Sequence, residues 1–153
     1  MRYQIDPGPT AAPEGAVSQM PIAYTLEPLL LAAEFRAVLI ASTLGERRPV
    51  ADLERLDRML RHADVIVTAR EGQRLVGISR AITDFSYCCY LSDLAVDVAY
   101  QRQGIGRRLI AETHKHAGEM TTLILAAAPA AESYYPRIGM QKHPSCWMVA
   151  RKR

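Results

Sequence analysis

The sequence has no apolar run near the ~20 residues that a membrane-crossing helix requires, so an integral membrane protein is not expected. Cysteine is scarce. Cys88, Cys89 and Cys146 make an odd set with no C-x-x-C pair and no metal-ligand spacing, which argues against a disulfide framework and suits a reducing cytoplasm. Histidine offers no metal pair either: His114 and His116 stand two apart on a predicted helix and face different ways, while His62 and His143 are isolated. No metal site is expected. A dominant charge is missing too, because the net +3 comes from Lys and Arg interleaved with Asp and Glu, too small and diffuse for a nucleic-acid footprint. Residues 1–20 hold Pro7, Gly8, Pro9, Pro13 and Gly15 without a hydrophobic core, so they read as a flexible leader and not as a signal peptide. Met20 before Pro21 is a candidate later start.

What is present fits one soluble domain over residues 21–153. The chain of 153 residues is 49% apolar and 23% charged, ordinary for a globular protein, and long enough to bury roughly two-thirds of its unfolded surface. Ile22 to Leu26 alternates as a strand. Leu29 to Leu44 carries a broad apolar helical face that Gly45 is expected to end, and Asp52 opens a second amphipathic helix through His62. The β-branched run Val65 to Ala69, the turn Glu71-Gly72-Gln73 and the run Leu75 to Ile82 predict a hairpin. Further strands are expected at Tyr87 to Val96, Thr121 to Ala127 and Trp147 to Val149, with helices from Gly106 to His116 and from Pro129 to Gly139. The order β-α-α-β-β-β-α-β-α-β is mixed, neither a regular βαβ repeat nor a bundle.

The chemistry gathers at Leu91 to His116, a strand, loop and helix. Gly104 and Gly106 stand where the strand gives way to the helix; without Cβ atoms they let a ligand approach the backbone, and the first amides of a helix favour an anion. A phosphate is the economical ligand. Leu109 occupies the place of the third glycine of a dinucleotide fingerprint, and Arg107-Arg108 follow where a Walker loop needs Lys-Ser/Thr, so both common nucleotide loops are excluded.

Gln101, Gly104 and Gly106 fill the fixed positions of Gln/Arg-x-x-Gly-x-Gly/Ala, and the stretch resembles the acyl-CoA loop of the GNAT superfamily of N-acyltransferases. Tyr134-Tyr135-Pro136-Arg137-Ile138-Gly139-Met140 resembles that family's second motif, with Met140 in place of its final aromatic and Val98 where a proline is frequent near the first. The resemblance covers about residues 22 to 150. It implies a mixed α+β fold with a central, mostly antiparallel twisted sheet flanked by helices, and it makes a homodimer a fair expectation. It implies acetyl-CoA as cosubstrate, its pyrophosphate on the amides of Gln101, Arg102, Gln103, Gly104, Ile105, Gly106 and Arg107, and its pantetheine arm paired with Leu94, Ala95 and Val96. The expected activity is acetyl transfer to a primary amine in a ternary complex, the acceptor being a small amine, an amino sugar, or a protein lysine or N-terminus. A CoA-binding regulatory module without turnover is the alternative.

The resemblance places the hydroxyl of Tyr135 beside the thioester sulfur as general acid, with Tyr134 in reserve and packing as the bland alternative. Pro136 sets Tyr135 against helical angles. For the base, Asp93 lies in the strand before the loop, where several branches of the family carry an acid; a structural hydrogen bond, or an ordered water as base, stays open. Asp84 and Tyr90 are weaker candidates for the acceptor pocket. One of Arg102, Arg107 and Arg108 can reach a phosphate, and Arg47-Arg48 either face a substrate or form a solvated basic loop, the more ordinary case.

Overall fold

The β-branched run Val65-Ile66-Val67-Thr68 forms the middle of a sheet, because branched side chains pack well on a pleated surface. The computed structural model describes residues 20–152, so the leader expected before Met20 lies outside the described residues. Within them β1 (Ile22–Leu26), β2 (Val65–Glu71), β3 (Arg74–Thr83), β4 (Cys88–Val96) and β5 (Thr122–Ile124) form one five-stranded sheet in chain order. The first four are antiparallel neighbours and β5 runs parallel to β4. The architecture is the expected mixed α+β one. Gly72, at φ 56°, turns the β2–β3 hairpin. No helix among the described residues is long and apolar enough to cross a membrane.

Each face of the sheet has its own core. Helices α1 (Ala32–Ala41) and α2 (Leu53–Arg61) bury Phe35, Val38, Leu39, Leu56 and Leu60 against Ile66, Ile78 and Ala95. Each such side chain contributes on the order of 1.5–3 kcal/mol of transfer free energy. Asp52 starts α2 by accepting from the Arg55 amide at 2.9 Å. On the opposite face α3 (Ile105–Ala117) packs Ile105, Leu109 and Ala117 against Val65, Val67, Ala81 and Leu91. It lies close because Gly77 has no side chain: a Cβ there would stand 3.1 Å from Leu109 Cδ1 and 3.3 Å from the Ala95 carbonyl.

One irregularity shapes everything near the site. Ala81 opposes Leu91 while Arg80 opposes Asp93, so Ser92 is an extra residue in β4, a β-bulge. Since side chains alternate with period two, one extra residue inverts the alternation. Cys89 and Leu91 therefore enter the core under α3, whereas Ala95 enters the core under α1 and α2.

Three expectations for the elements need correction. The first helix stops at Ser42 and Thr43 takes the left-handed turn at φ 68°, while Gly45 is buried inside a following 3-10 turn, Leu44–Arg47. Its small size is what matters there, because a Cβ would meet the Leu39 carbonyl at 3.2 Å. The helix expected from Pro129 to Gly139 is split into a 3-10 turn, Pro129–Ala131, and the short α4 (Tyr134–Arg137). Trp147 to Val149 is no strand; Trp147 is 90% and Val149 97% exposed, and with no partner strand an apolar run has nothing to pair with.

Candidate active site

Strand β4 loses a neighbour halfway. Its parallel pairing with β5 covers only Cys88, Cys89 and Tyr90, yet β4 continues to Val96, so from Leu91 onward that edge has no strand partner. The chain after β5 diverges instead, and the gap opens into a cleft of about 470 Å³ with Leu91, Ser92, Leu94 and Val96 on one wall and Leu125 and Ala126 on the other. Unpaired peptide groups along such an edge can take an added strand or an extended amide-bearing ligand. Ala95 does not line this cleft, since its side chain is in the core behind the strand.

The edge runs directly into the glycine loop. Gln101 folds back so that its Nε2 donates to the Val96 carbonyl at 3.0 Å. Arg102 and Gly104 both take left-handed angles, φ 62° and 81°, before α3 starts at Ile105, whose buried side chain anchors the turn. A Cβ at Gly104 would meet nothing within 4 Å, so glycine serves its φ there rather than its bulk. Among the described residues no amide from Arg102 to Arg107 donates to a protein acceptor. A run of free N–H groups at the positive end of a thirteen-residue helix suits an anion. Arg102 and Arg107 make no ion pair among the described residues, whereas Arg108 pairs with Glu112 at 2.6 Å and lies over the Tyr24 ring. The loop thus fits the phosphates of a CoA ester without rearranging any internal hydrogen bond.

The second motif brings one of its two tyrosines to this cleft. Tyr135 lines it, and burial pushes its phenol above the ordinary tyrosine value, with neighbouring Tyr134 adding to the rise. The two rings meet edge to face, centroids 5.3 Å apart. Burial also raises Tyr134, against a smaller opposing effect of Arg107, and its hydroxyl sits over the first turn of α3, where a Cβ on Gly106 would come within 2.9 Å of it. Pro136 does not keep Tyr135 out of helix: both lie in α4, in a first turn where the missing proline N–H has no helical acceptor to lose.

Asp93 is placed differently from a free carboxylate in a cleft. It is 1% exposed; one oxygen accepts from Arg48 Nε and the other from Arg80 Nε at 2.5 Å. The same two arginines hold the bulge, Arg48 Nη2 donating to the Ser92 carbonyl at 2.8 Å and Arg80 Nη2 to the Ser92 hydroxyl at 2.9 Å. Arg80 also reaches the Met59 carbonyl of α2. The cluster ties the turn after α1, strands β3 and β4, and α2 together. Arg48 is therefore no solvated loop residue: its side chain is 20% exposed and, with exposed Arg47, borders the cleft. A basic dipeptide in a loop gave no hint of partners 45 residues away.

The weaker candidates are elsewhere. Asp84 caps its own turn, accepting from the amides of Tyr87, Ser86 and Cys88, and these bonds hold its carboxyl down at about 2. Tyr90 pairs with Ile124 outside the cleft. Cys88 is exposed and Cys89 buried, on opposite sides of β4.

Comparison with known proteins agrees with this fold. Residues 45–146 match the family described as "Acetyltransferase (GNAT) domain". The chain belongs to the GNAT acetyltransferase family. An uncharacterized N-acetyltransferase, ycf52, of Porphyra purpurea is 26% identical over 98 residues, 60% of this chain and 56% of that protein. The chain thus spans about half the length of the curated relatives it matches. A GNAT-family acetyltransferase of Streptococcus pneumoniae TIGR4 superposes with a TM-score of 0.69 at 23% identity, covering 87% of this chain and 99% of that one. AAC(6')-Iy, solved with a bisubstrate analog, CoA-S-monomethyl-acetylneamine, superposes at 0.65 with 15% identity, covering 87% and 99%. At these identities the solved structures speak to the GNAT fold alone.

Proposed function

We propose that residues 21–153 act as one acyl-CoA-dependent N-acyltransferase domain, moving an acetyl group from acetyl-CoA to a primary amine by direct attack in a ternary complex. The observation that carries this reading is the continuity of β4's unpartnered edge with the free amides of Arg102 to Arg107. A thioester with a pantetheine arm and a pyrophosphate needs such an edge and such an anion site end to end. The neighbour bound to a CoA analog supports that choice of cosubstrate.

When bound, acetyl-CoA supplies an activated acyl group and a thiolate leaving group. The chain supplies position, charge and protons. The backbone from Leu94 to Val96 lies along the acyl-bearing arm, and the amides of Arg102 to Arg107, with the Arg102 and Arg107 side chains, hold the phosphates. Tyr135 donates its phenolic proton to the leaving sulfur; its raised pKa keeps that proton in place at neutral pH. Asp93 serves as a positioning residue rather than as the base, since its carboxylate is buried and both oxygens are taken by guanidinium groups. The amine's proton then leaves to water in the cleft, where positive charge from Arg47 and Arg48 favours the neutral amine.

Thermal scans with acetyl-CoA, CoA and ATP test the binding half, because a ligand selective for the folded state raises the melting temperature. Both CoA species are expected to stabilise the chain and ATP is not. Thiol release with an amine panel tests turnover, and Tyr135→Phe is expected to lower kcat by roughly 10²-fold, the scale of one general acid. Stabilisation by CoA species with no thiol release from any amine would make the chain a CoA-binding sensor.

A further inference from the structure

We propose that the amine acceptor carries a carboxylate, and that Arg48, assisted by Arg47, selects it; this rests on the acyltransferase reading of the cleft. Two arginines, Arg48 and Arg80, share the single carboxylate of Asp93, so the cluster keeps one positive charge beside the cleft. Arg80 is buried and spends its donors on Asp93, Ser92 and Met59. Arg48 is the member that borders the cleft. Its guanidinium gives one N–H to Asp93, one to the Ser92 carbonyl and one to the Arg47 carbonyl at 3.0 Å. Of the five donors a guanidinium holds, two remain.

That arrangement differs from an ordinary surface arginine in two ways. The side chain is fixed on three sides, so its rotamer freedom is already lost on folding and little more is lost when a ligand binds. It also sits in a partly water-excluded wall, where charge counts for more than on an open surface. The other charged side chains bordering the cleft are Arg47, without an ion pair among the described residues, and Glu46; the balance stays positive. A polycation would be repelled there. A carboxylate matches the planar fork of an arginine and offsets its charge, while the reacting amine a few bonds away is kept neutral by the same field.

Matched acceptors of one carbon skeleton test this in the full chain: β-alanine, its carboxamide and 1,3-diaminopropane, together with α-amino acids and their amides. With acetyl-CoA saturating, kcat/KM for a carboxylate member is expected to exceed its carboxamide by about 10-fold or more, mostly through KM, as a charge-assisted bond gives. Arg48→Lys, which also gives up the bonds to Asp93 and the Ser92 carbonyl, is expected to lower both rates and to erase most of that ratio, so the ratio and not the rate is the readout. Arg47→Glu, at an exposed position without an ion pair among the described residues, is expected to lower or invert it. Carboxamides or diamines turned over as well as carboxylates, or a ratio unmoved by Arg47→Glu, would overturn the proposal. If no amine turns over, melting shifts of the CoA complex with each pair give the same comparison, and equal shifts overturn it. Failure of the acyltransferase reading looks different: acetyl-CoA then gives no shift, or gives one without thiol release from any amine.

Discussion

Two clusters of arginine and carboxylate touch the layer formed by α1 and α2, and their stoichiometries are opposite. In the first, Arg70 pairs with Glu27 at 2.7 Å and with Glu34 of α1 at 2.9 Å, one cation between two anions. In the second, Asp93 lies between Arg48 and Arg80, one anion between two cations. The first joins β1, β2 and α1 away from the cleft, and Thr68 and Thr25 complete its bonding. The second borders the cleft and holds the Ser92 bulge that re-aims β4. The contrast teaches that burial of ion pairs alone does not mark a site. What sets the second apart is surplus charge and unspent donors beside a cavity.

Asp93→Asn should break the comparison most severely. Two guanidinium groups would be left facing each other with no counter-charge, at a cost of about 3–5 kcal/mol, the range for removing one partner of a buried pair. Urea denaturation should show that loss, and acetyl transfer should fall with it because the bulge loosens. Glu27→Gln should cost less, about 1–2 kcal/mol, since Glu34 still neutralises Arg70. It should leave kcat/KM unchanged; an equal loss of activity in both variants would dissolve the distinction. Ser92→Ala should cost about 1 kcal/mol, removing one acceptor of Arg80 while Arg48 still holds the backbone of the bulge.

The smallest effect sharpens the comparison through pH. The hydrogen bond from Arg70 holds the Glu27 carboxyl below the ordinary glutamate value, against a smaller opposing effect of burial. A folded-state value below the unfolded one contributes stability above the unfolded value and loses it as pH falls through the folded one. Acid denaturation followed by circular dichroism should therefore be shallower in Glu27→Gln than in the native chain.

The parts of this molecule that local chemistry decides are legible in the sequence. Gly104 marks the loop because its left-handed angle favours glycine, Gly106 marks a close approach because a Cβ there would meet the Tyr134 hydroxyl, and Asp52 marks a helix start through its own neighbouring amide. The hairpin follows from β-branched residues around Gly72. What distant contacts decide is not legible. The bulge at Ser92 depends on Arg48 and Arg80, separated from it by 44 and 12 residues. Without it, simple alternation puts Asp93 on the same side as Leu91, and its capture by two arginines stays hidden. Arg48 reads as a loop charge, and Trp147 to Val149 as a strand, for the same reason: the sequence shows the residue but not what stands opposite.

The central claim is that β4 beyond Tyr90 and the loop amides from Arg102 to Arg107 together receive an acyl-CoA. Amide hydrogen exchange with residue resolution tests it most directly. Saturating acetyl-CoA should slow exchange at Arg102 to Arg107 and along Leu94 to Val96, while ATP should not. Exchange left unchanged in both stretches, with protection appearing elsewhere on the chain, would contradict the account.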